Sequence, residues 1–326
     1  MKRLGVIFAL LMLNSSASAQ TISTDDREAV VKAVIEHLES DYVLPDVGRR
    51  GAAELKSALR SKAFRSESSG EAFAAALTDK LRRVTGDGHL AVEYSAKPVE
   101  ENAEAKAAFN AQEMERYYGK QVNHGVRKAE RLDSNVGLLE LSVFPPANMG
   151  GDTIAAAMNV IANTDALIID LRNNGGGSET TVSLIASYLF DERQPLSGKY
   201  NRPEDRLTQQ FTQPYVPGDR FGAVKPVYVL ISKRTFSAAE ALAYDLQALK
   251  RATIVGEPSG GGAHPFDYHR IHPHFILWSV TERSLNPITG KNWQGTGVQP
   301  DVRVESAQAL ETALKLIKER ISTISH

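Results

Sequence analysis

The spacing of apolar residues divides the chain near residue 135. In the segments 25–40, 51–62 and 70–83, apolar side chains recur three or four positions apart, as in Val30, Val34 and Leu38. This is the period of a helix with one buried face. Asp25 and Glu28 stand where a helix start is expected. The pattern therefore predicts a small helical N-terminal domain over residues 20–85.

From residue 136 onward, short apolar runs alternate with helical patterns. The runs predict strands at 136–141, 166–171, 227–231 and 253–255, with helices at 151–162, 179–190 and 237–249. A further strand is predicted at 275–280, and an amphipathic helix at 304–321 closes the chain. Such alternation is typical of an α/β domain with a largely parallel sheet. We therefore assign residues 135–326 to an α/β core.

Two segments follow neither arrangement. Residues 86–134 hold a glycine-rich turn, a short apolar run at 89–94 and a charged, alanine-rich stretch at 97–130, for which we predict one connecting helix. Residues 194–222 hold four prolines and follow neither period. A loop of this length in a compact domain is often a lid or a substrate wall. A surface excursion packed by its own aromatic residues fits the pattern equally well.

The first 19 residues have the pattern of a cleaved export signal. Lys2 and Arg3 precede an apolar run at 6–13, and Ala17-Ser18-Ala19 forms a small-residue cleavage site. The apolar run is too short to span a bilayer. We predict export with cleavage after Ala19, and a periplasmic or secreted protein that is not embedded in a membrane.

Composition excludes several kinds of chemistry. The chain has no cysteine, so it has neither a disulfide nor a thiol nucleophile. Its formal net charge of -1 argues against a nucleic-acid partner. Histidines cluster after residue 263, but they form no His-Glu-x-x-His pattern; the cluster is His264, His269, His272 and His274. We interpret it as a polar loop and expect neither metal nor cofactor.

A serine follows the predicted strand at 227–231. Ser237 stands at the expected start of a helix, where the helix dipole favours developing negative charge. A hydroxyl there suits a nucleophile. The sequence Ser237-Ala-Ala-Glu240 is also a capping box, which would satisfy free helix-terminal amides. The residues alone leave both interpretations open.

Two glycine-rich turns and one histidine complete the candidate chemistry. Asp170-Leu-Arg-Asn-Asn-Gly-Gly-Gly177 follows a predicted strand, and its glycines let backbone amides approach a bound group. An oxyanion hole and a plain tight turn both fit; a phosphate loop would need a different ending. Gly256-Glu-Pro-Ser-Gly-Gly-Gly262 is the second such turn. His89, in a glycine-flanked turn, is a candidate general base or a structural histidine.

Taken in order, these segments resemble the C-terminal-processing (tail-specific) serine peptidase family. The closer likeness is to the branch that holds the interphotoreceptor retinoid-binding protein modules and the tricorn protease core. The likeness runs from about Thr24 to Val304, nearly the whole chain after the export signal. It rests on motifs at 85–90, 170–177, 235–240, 256–260 and 286–301, the last from Asn286-Pro-Ile-Thr-Gly290 to Gly297-Val-Gln-Pro-Asp301.

The resemblance implies a crotonase-like ββα spiral core, a helical N-terminal domain and no separate PDZ domain. It implies Ser237 as nucleophile, with an oxyanion hole formed by the Ala238 amide and by Gly175 and Gly176. The common branch uses a lysine base in the turn that corresponds to 259–262, where this chain has none. The tricorn-like branch implies His89 as base.

In that branch a serine precedes the histidine and a distant glutamate assists it. Here Gly88 stands before His89, and either Glu282 or Glu240 could be the acid. Together with the export signal, the resemblance implies an exported serine peptidase. The lack of a separate peptide-binding module favours short peptides or unfolded proteins as its substrates. The alternative is a non-catalytic protein that binds an apolar ligand or peptide on the same fold.

Overall fold

A computed structural model describes residues 21–64, 69–99, 103–265 and 267–324 of the chain. The predicted export signal at 1–19 lies outside these residues. The chain divides into two compact units. Of the described residues, the first comprises those within 21–40, 44–99 and 268–279, and the second comprises those within 41–43, 103–267 and 280–324.

The helices and strands are numbered in chain order. The helices are α1 (Thr24–Ser40), α2 (Pro45–Arg60), α3 (Gly70–Thr85), α4 (Ala103–Tyr118), α5 (Ala147–Ile161), α6 (Glu179–Ser187), α7 (Ala238–Ala248) and α8 (Ala309–Ile324). The strands are β1 (Ala91–Tyr94), β2 (Val126–Leu132), β3 (Val136–Leu141), β4 (Ala166–Asp170), β5 (Pro195–Asn201), β6 (Arg206–Phe211), β7 (Val227–Ile231), β8 (Thr253–Gly256), β9 (Asp267–His272), β10 (Phe275–Ser279), β11 (Glu282–Leu285) and β12 (Val302–Arg303).

The first unit joins helices α1–α3 to a small sheet. The helices bury the apolar residues that the spacing picks out, among them Val30, Leu38 and Leu77. The sheet has the order β1-β10-β9, with Val92 opposite Leu277 in an antiparallel pair. Residues 268–279 therefore pack with the N-terminal helices, although the sequence pattern places them in the core domain. The spacing of apolar residues does not reveal the pairing of β10 with β1, because the two strands are more than 180 residues apart in the chain.

The second unit is built on a mixed sheet. In its described part, six strands form the order β12-β8-β7-β4-β3-β2, parallel throughout except that β2 runs antiparallel to β3. Alternate residues of β4 and β7 face two buried clusters. Ile169 and Val229 lie in the cluster with α5, α6 and α7, while Ile168 and Tyr228 lie in the cluster with α8. The unit is thus an α/β fold with helices on both faces of the sheet, as the alternation predicts.

Two predicted elements of the second unit are wrong. The single helix predicted at 97–130 is instead helix α4, a short 3-10 turn at Lys120–Gly125 and strand β2. The charged sequence of β2 resembles a solvated helix because β2 is an edge strand, and edge strands commonly carry charges that discourage further pairing. The segment at 194–222, predicted as irregular, contains the hairpin β5–β6, which pairs with β11 in the order β11-β5-β6.

No separate PDZ domain lies between β1 and the six-stranded sheet in the described chain. Residues 103–125 of that connection form only α4 and the 3-10 turn, which is far below ordinary domain size. Among the residues that the structure describes, no helix combines the length and the apolar character that crossing a bilayer requires.

Thr78 joins helix α3 to the outer strand of the small sheet. Its hydroxyl donates to the Val92 carbonyl at 3.1 Å and accepts from the Val92 amide at 2.8 Å. A Thr78→Val substitution keeps the shape but leaves both backbone groups without this partner, so we expect the free energy of unfolding to fall by about 2 kcal/mol. Urea denaturation measures this change. Ser57→Ala, on the exposed face of α2, should change it by less than about 0.5 kcal/mol; equal effects would contradict the assignment.

Candidate active site

Ser237 lies at the turn between β7 and α7 in a strained conformation. Its φ of 55° and ψ of -123° lie outside the regions that non-glycine residues favour. Two hydrogen bonds to the segment after β4 fix this turn. The Thr235 hydroxyl donates to the Leu171 carbonyl at 2.8 Å, and the Phe236 amide donates to the Asn174 carbonyl at 3.1 Å. Strain of this kind persists only where the surroundings enforce it, and it is common at functional sites. The turn leaves Ser237 partly exposed at the start of α7.

Glu240 anchors this turn from the first turn of α7. Its carboxylate is fully buried and accepts hydrogen bonds from four donors. The Ser237 and Gly262 amides donate to Oε2 at 2.8 Å each, while the Ser259 hydroxyl and the Gly261 amide donate to Oε1 at 2.6 Å each. The glutamate half of the predicted capping box is therefore present. The same carboxylate also ties Ser237 to the second glycine-rich turn.

The first glycine-rich turn passes directly against Ser237. A Cβ built on Gly176 would lie 2.7 Å from the Ser237 Cβ and 3.0 Å from the Ala238 nitrogen. Gly176 has a φ of +101°, which side chains rarely adopt. Its amide donates to the Asn174 Oδ1 at 2.8 Å. A Cβ on Gly175, in contrast, would meet no atom within 4 Å. Ala238 opens α7, so its amide has no acceptor within the helix.

A cleft of about 310 Å³ opens beside Ser237 and Ala238. Ala241, Ala263 and Trp293 supply apolar lining, and the polar lining includes Glu179, Lys199, Gln210 and Ser284. The Lys199 ammonium lies 3.0 Å from the Glu179 carboxylate. Lys199 and Gln210 come from β5 and β6, so the segment at 194–222 does form part of the wall of this cleft.

His89 lies in the first unit, in the turn between α3 and β1. Its Nδ1 lies 2.7 Å from the Asp87 Oδ1, which also accepts the His89 amide at 2.8 Å. This contact orients the His89 ring through Nδ1. Our sequence reasoning did not single out Asp87. The sequence Gly-Asp-Gly-His contains the signal, because an aspartate in a turn often bonds the backbone two residues on.

The two candidate acids have different surroundings. Glu282, on β11, faces Asn201 in the ladder and accepts a hydrogen bond from its Nδ2 at 3.0 Å. It does not line the cleft beside Ser237; Ser284 on the same strand does. Glu240 lies next to Ser237, but each of its oxygens already accepts two hydrogen bonds.

The clustered histidines are divided between the predicted loop, which holds His264, and the region of strand β9. His269 and His272 are in β9, and His274 follows it. The His274 Nδ1 lies 2.8 Å from the Ser95 carbonyl, and the His272 Nε2 lies 3.4 Å from an Asp26 oxygen. The part of the chain that the structure describes contains no group of three or more potential ligands placed to hold a metal ion.

Asp245 is a second buried carboxylate on α7 that our sequence reasoning missed. It is 1% exposed, and burial raises its pKa to about 6 despite hydrogen bonds from Ser197 and Asn286. The Ser197 amide lies 3.0 Å from both oxygens, the Ser197 hydroxyl donates at 2.5 Å and the Asn286 Nδ2 at 2.9 Å. The sequence does contain a signal for this buried carboxylate: Asp245 stands on a predicted helix between two apolar residues, Leu242 and Leu246. Both leucines are fully buried.

The chain matches known families over most of its length. The profile of peptidase family S41 matches residues 135–304, and the profile described as the N-terminal domain of Peptidase_S41 in eukaryotic IRBP matches residues 17–124. A carboxy-terminal-processing protease of Bartonella bacilliformis is 27% identical over 187 residues, which cover 54% of this chain and 40% of that protein. The chain therefore spans less than half the length of this relative.

Solved structures with the same fold include peptidases. A putative peptidase from Parabacteroides merdae matches with a TM-score of 0.64 at 20% identity, covering 89% of this chain and 96% of that one. The photosystem II D1 C-terminal processing protease matches with a TM-score of 0.55 at 15% identity, covering 87% and 94%. At these identities the matches show a shared fold.

Loss of the Glu240 carboxylate should destabilise the second unit. A Glu240→Ala substitution leaves its four buried donors without an acceptor, so we expect the free energy of unfolding to fall by about 3 kcal/mol. Urea denaturation measures it. The matched control is Glu192→Ala, at an exposed position, which should change the value by less than about 0.5 kcal/mol. A loss below about 1 kcal/mol for Glu240→Ala would show that the carboxylate is not the anchor.

The pKa of Asp245 predicts a pH dependence of stability. Because folding raises this pKa from 3.8 to about 6, the folded state holds the proton more tightly than the unfolded state. The resulting stabilisation is complete below pH 4 and is lost as the pH rises to about 6. Asp245→Asn removes this titration, so its stability relative to the wild type should rise by about 3 kcal/mol between pH 4 and pH 7. Urea denaturation across this range measures it.

The control for this experiment is Asp152→Asn, at an exposed position on α5. Its stability should follow the wild-type curve over the same pH range. If the curve of Asp245→Asn also runs parallel to that of the wild type, the carboxyl of Asp245 does not titrate in this window.

Proposed function

Because the chain belongs to peptidase family S41, we propose that it is an exported serine peptidase that hydrolyses peptide bonds through Ser237. The observation that carries this proposal is the strained turn at Ser237. It presents a hydroxyl at the start of a helix, beside a cleft and against a glycine backbone. A helix cap alone does not require the unfavourable backbone of Ser237, whereas an exposed nucleophile at a sharp strand-to-helix turn does.

In the proposed reaction the Ser237 hydroxyl attacks a peptide carbonyl carbon. His89 Nε2 takes the hydroxyl proton and later gives it to the leaving amine, and a water molecule then releases the acyl group from Ser237. Asp87 holds the His89 ring through Nδ1 and stabilises its protonated form. Glu282 remains our proposal for the more distant acid. Glu240 anchors the turn rather than assisting the base, because its oxygens are occupied.

The oxyanion is proposed to bind the Ala238 amide and the turn at Gly175 and Gly176. Gly175 is exposed, and a Cβ on it would meet no atom within 4 Å. The Gly176 amide already donates to Asn174, and it can serve the oxyanion only if Asn174 releases it. One donor of this kind contributes about 3 kcal/mol to transition-state stabilisation.

The cleft suggests how a substrate is held. A volume of about 310 Å³ accommodates a short stretch of peptide with one side chain inserted. Apolar lining by Ala241, Ala263 and Trp293 suits the stem of a side chain, and the Lys199–Glu179 pair supplies a polar wall. We propose short peptides or unfolded proteins as substrates, met in the periplasm or outside the cell after removal of residues 1–19.

A non-catalytic binding protein is the second candidate. It is favoured by the match of residues 17–124 to the N-terminal domain of the family in eukaryotic IRBP and by Gly88, which replaces the serine expected before the histidine. On this alternative the same cleft would hold an apolar ligand or a peptide without cleaving it.

Labelling with a serine-reactive fluorophosphonate distinguishes the two functions. We expect one adduct, on Ser237, because the strained turn presents this hydroxyl beside the glycine-rich turn and the Ala238 amide, the proposed oxyanion donors. Peptide mapping by mass spectrometry locates it. Ser237→Ala should abolish both the adduct and peptide hydrolysis, and His89→Ala should slow labelling by at least about 100-fold, the usual contribution of a general base.

The matched control is His124→Ala, which removes a histidine bonded to the Tyr118 carbonyl and should label at the wild-type rate. Hydrolysis that persists in Ser237→Ala would exclude Ser237 as the nucleophile. A wild-type protein that neither labels nor cleaves unfolded casein would favour the binding function.

A further inference from the structure

The β5–β6 hairpin contains a bulge beside the cleft. Leu196 pairs with Gln210 and Lys199 pairs with Thr208, so Ser197 and Gly198 stand opposite Gln209 alone. A bulge removes a residue from the ladder and redirects its backbone groups. A Cβ on Gly198 would lie 2.6 Å from the Thr208 carbonyl oxygen, so the close approach of the strands requires glycine there. The Ser197 amide, released from the ladder, donates to Asp245.

Asp245 joins three segments through one carboxylate. It is on α7 and holds Ser197 of β5 through an amide and a hydroxyl, as well as Asn286, which follows β11. Asn286 in turn accepts the amides of Ile288 and Thr289 at 3.0 Å each. Asp245 therefore fixes β5 and the end of β11, two neighbouring strands of the small sheet, against α7, the helix that begins after Ser237.

This contact lies at the inner end of the cleft. Asp245, Ser197 and Leu196 line a narrow cavity that shares Glu179, Gln210, Ala241 and Ser284 with the cleft beside Ser237. Ala241 lies one helical turn from both Ser237 and Asp245, and side chains four positions apart share a helix face. The bulge, the buried carboxylate and the nucleophile are thus arranged along one side of α7.

Burial of the Asp245 carboxylate also has a cost in folding free energy. Its described hydrogen-bond partners are neutral, and the nearby charge that acts on it is the anionic Glu179, which disfavours ionisation further. Lys199, two residues from Ser197, pairs with Glu179 rather than with Asp245. Burial of a carboxylate without a cation costs stability, and such costs are tolerated where they fix a functional geometry.

We propose that Asp245 is a positioning residue for the peptidase site: by holding the β5 bulge against α7, it fixes the wall formed by Lys199 and Gln210 and so shapes the pocket for the substrate side chain. The inference rests on the proposed peptidase function. Its consequence is selective, because a change at Asp245 alters how a side chain is held without altering the reactivity of Ser237.

Two phosphonate probes separate these effects in the full-length mature protein. A small alkyl fluorophosphonate reports the reactivity of Ser237 alone, whereas a peptidyl diphenyl phosphonate with a leucine side chain also needs the pocket. In Asp245→Leu we expect the rate of labelling by the peptidyl probe to fall at least about tenfold, since small misplacements of a binding wall have large effects. The rate with the small probe should stay within about twofold. Asp245→Asn, which can still accept from Ser197, should recover most of the lost rate.

Hydrogen–deuterium exchange gives a readout that needs no activity. Amides of residues 195–201 should exchange faster in Asp245→Leu than in the wild type, while those of the central strand β7 should not change. Asp152→Asn, at an exposed position on α5, is the matched control and should behave as the wild type in all assays. A cooperative thermal unfolding transition shows that a variant folds. If Asp245→Leu does not fold, Ser197→Ala takes its place, because this milder substitution removes only the Ser197 hydroxyl.

The outcomes separate this inference from the proposed function. Equal losses with both probes, or unchanged exchange at 195–201, would overturn the positioning role of Asp245. If the wild type labels with neither probe, the peptidase function fails. Hydrogen exchange at 195–201 in Asp245→Leu then decides the inference. Unchanged exchange overturns the positioning role of Asp245, and faster exchange supports that role in a binding pocket.

Discussion

The buried carboxylate of Glu240 is the interaction on which the candidate site depends. It is fully excluded from solvent and receives hydrogen bonds from Ser237, Ser259, Gly261 and Gly262. Such a group stabilises the fold only when its acceptors are satisfied, so it constrains all of its donors at once. The strained backbone of Ser237 and the glycine turn at 259–262 are fixed by the same anion.

Helix α7 carries the residues that hold the other segments around the cleft. Ser237 precedes it, Glu240 holds the glycine-rich turn on one side, and Asp245 holds the β5 bulge on the other. Ala241, between the two acids, has a small side chain that leaves room for the cleft. A helix is a rigid mount, and a site carried by one is positioned more accurately than a site carried by loops. Both acids act on the site through hydrogen bonds to other segments.

The chain departs from the common branch of its family where a lysine base is expected. The turn at 259–262 is occupied by small residues whose amides and hydroxyl bind Glu240, and the neighbouring Phe236 ring lies so close to Gly262 that no larger residue fits without a shift. A histidine base is consistent with this change. His89 and Asp87 contact each other within the first unit, while the residues that surround Ser237, the proposed nucleophile, belong to the second.

Much of the architecture was predictable because its signals are local. Strands β3, β4 and β7 are short runs of buried apolar residues, and α1, α3 and α5 repeat such residues at helical spacing. The junction at Ser237 could be located for the same reason, since a buried strand gives way there to a capping sequence. The turn at 175–177 was identifiable from its three consecutive glycines, of which Gly176 and Gly177 are required by close backbone approach.

The remaining features depend on tertiary structure. Strand β2 has a polar sequence and pairs with its sequence neighbour β3. The β5–β6 hairpin has a polar, proline-containing sequence, and β5 also pairs with β11, a partner that is distant in the chain. The pairing of β10 with β1 moves residues 268–279 to the first unit for the same reason. Sequence alone determined which segments are helices and apolar strands and where a nucleophile could stand. Tertiary structure decided which carboxylates are buried and what they hold, because burial and hydrogen-bond partners arise only when distant segments meet.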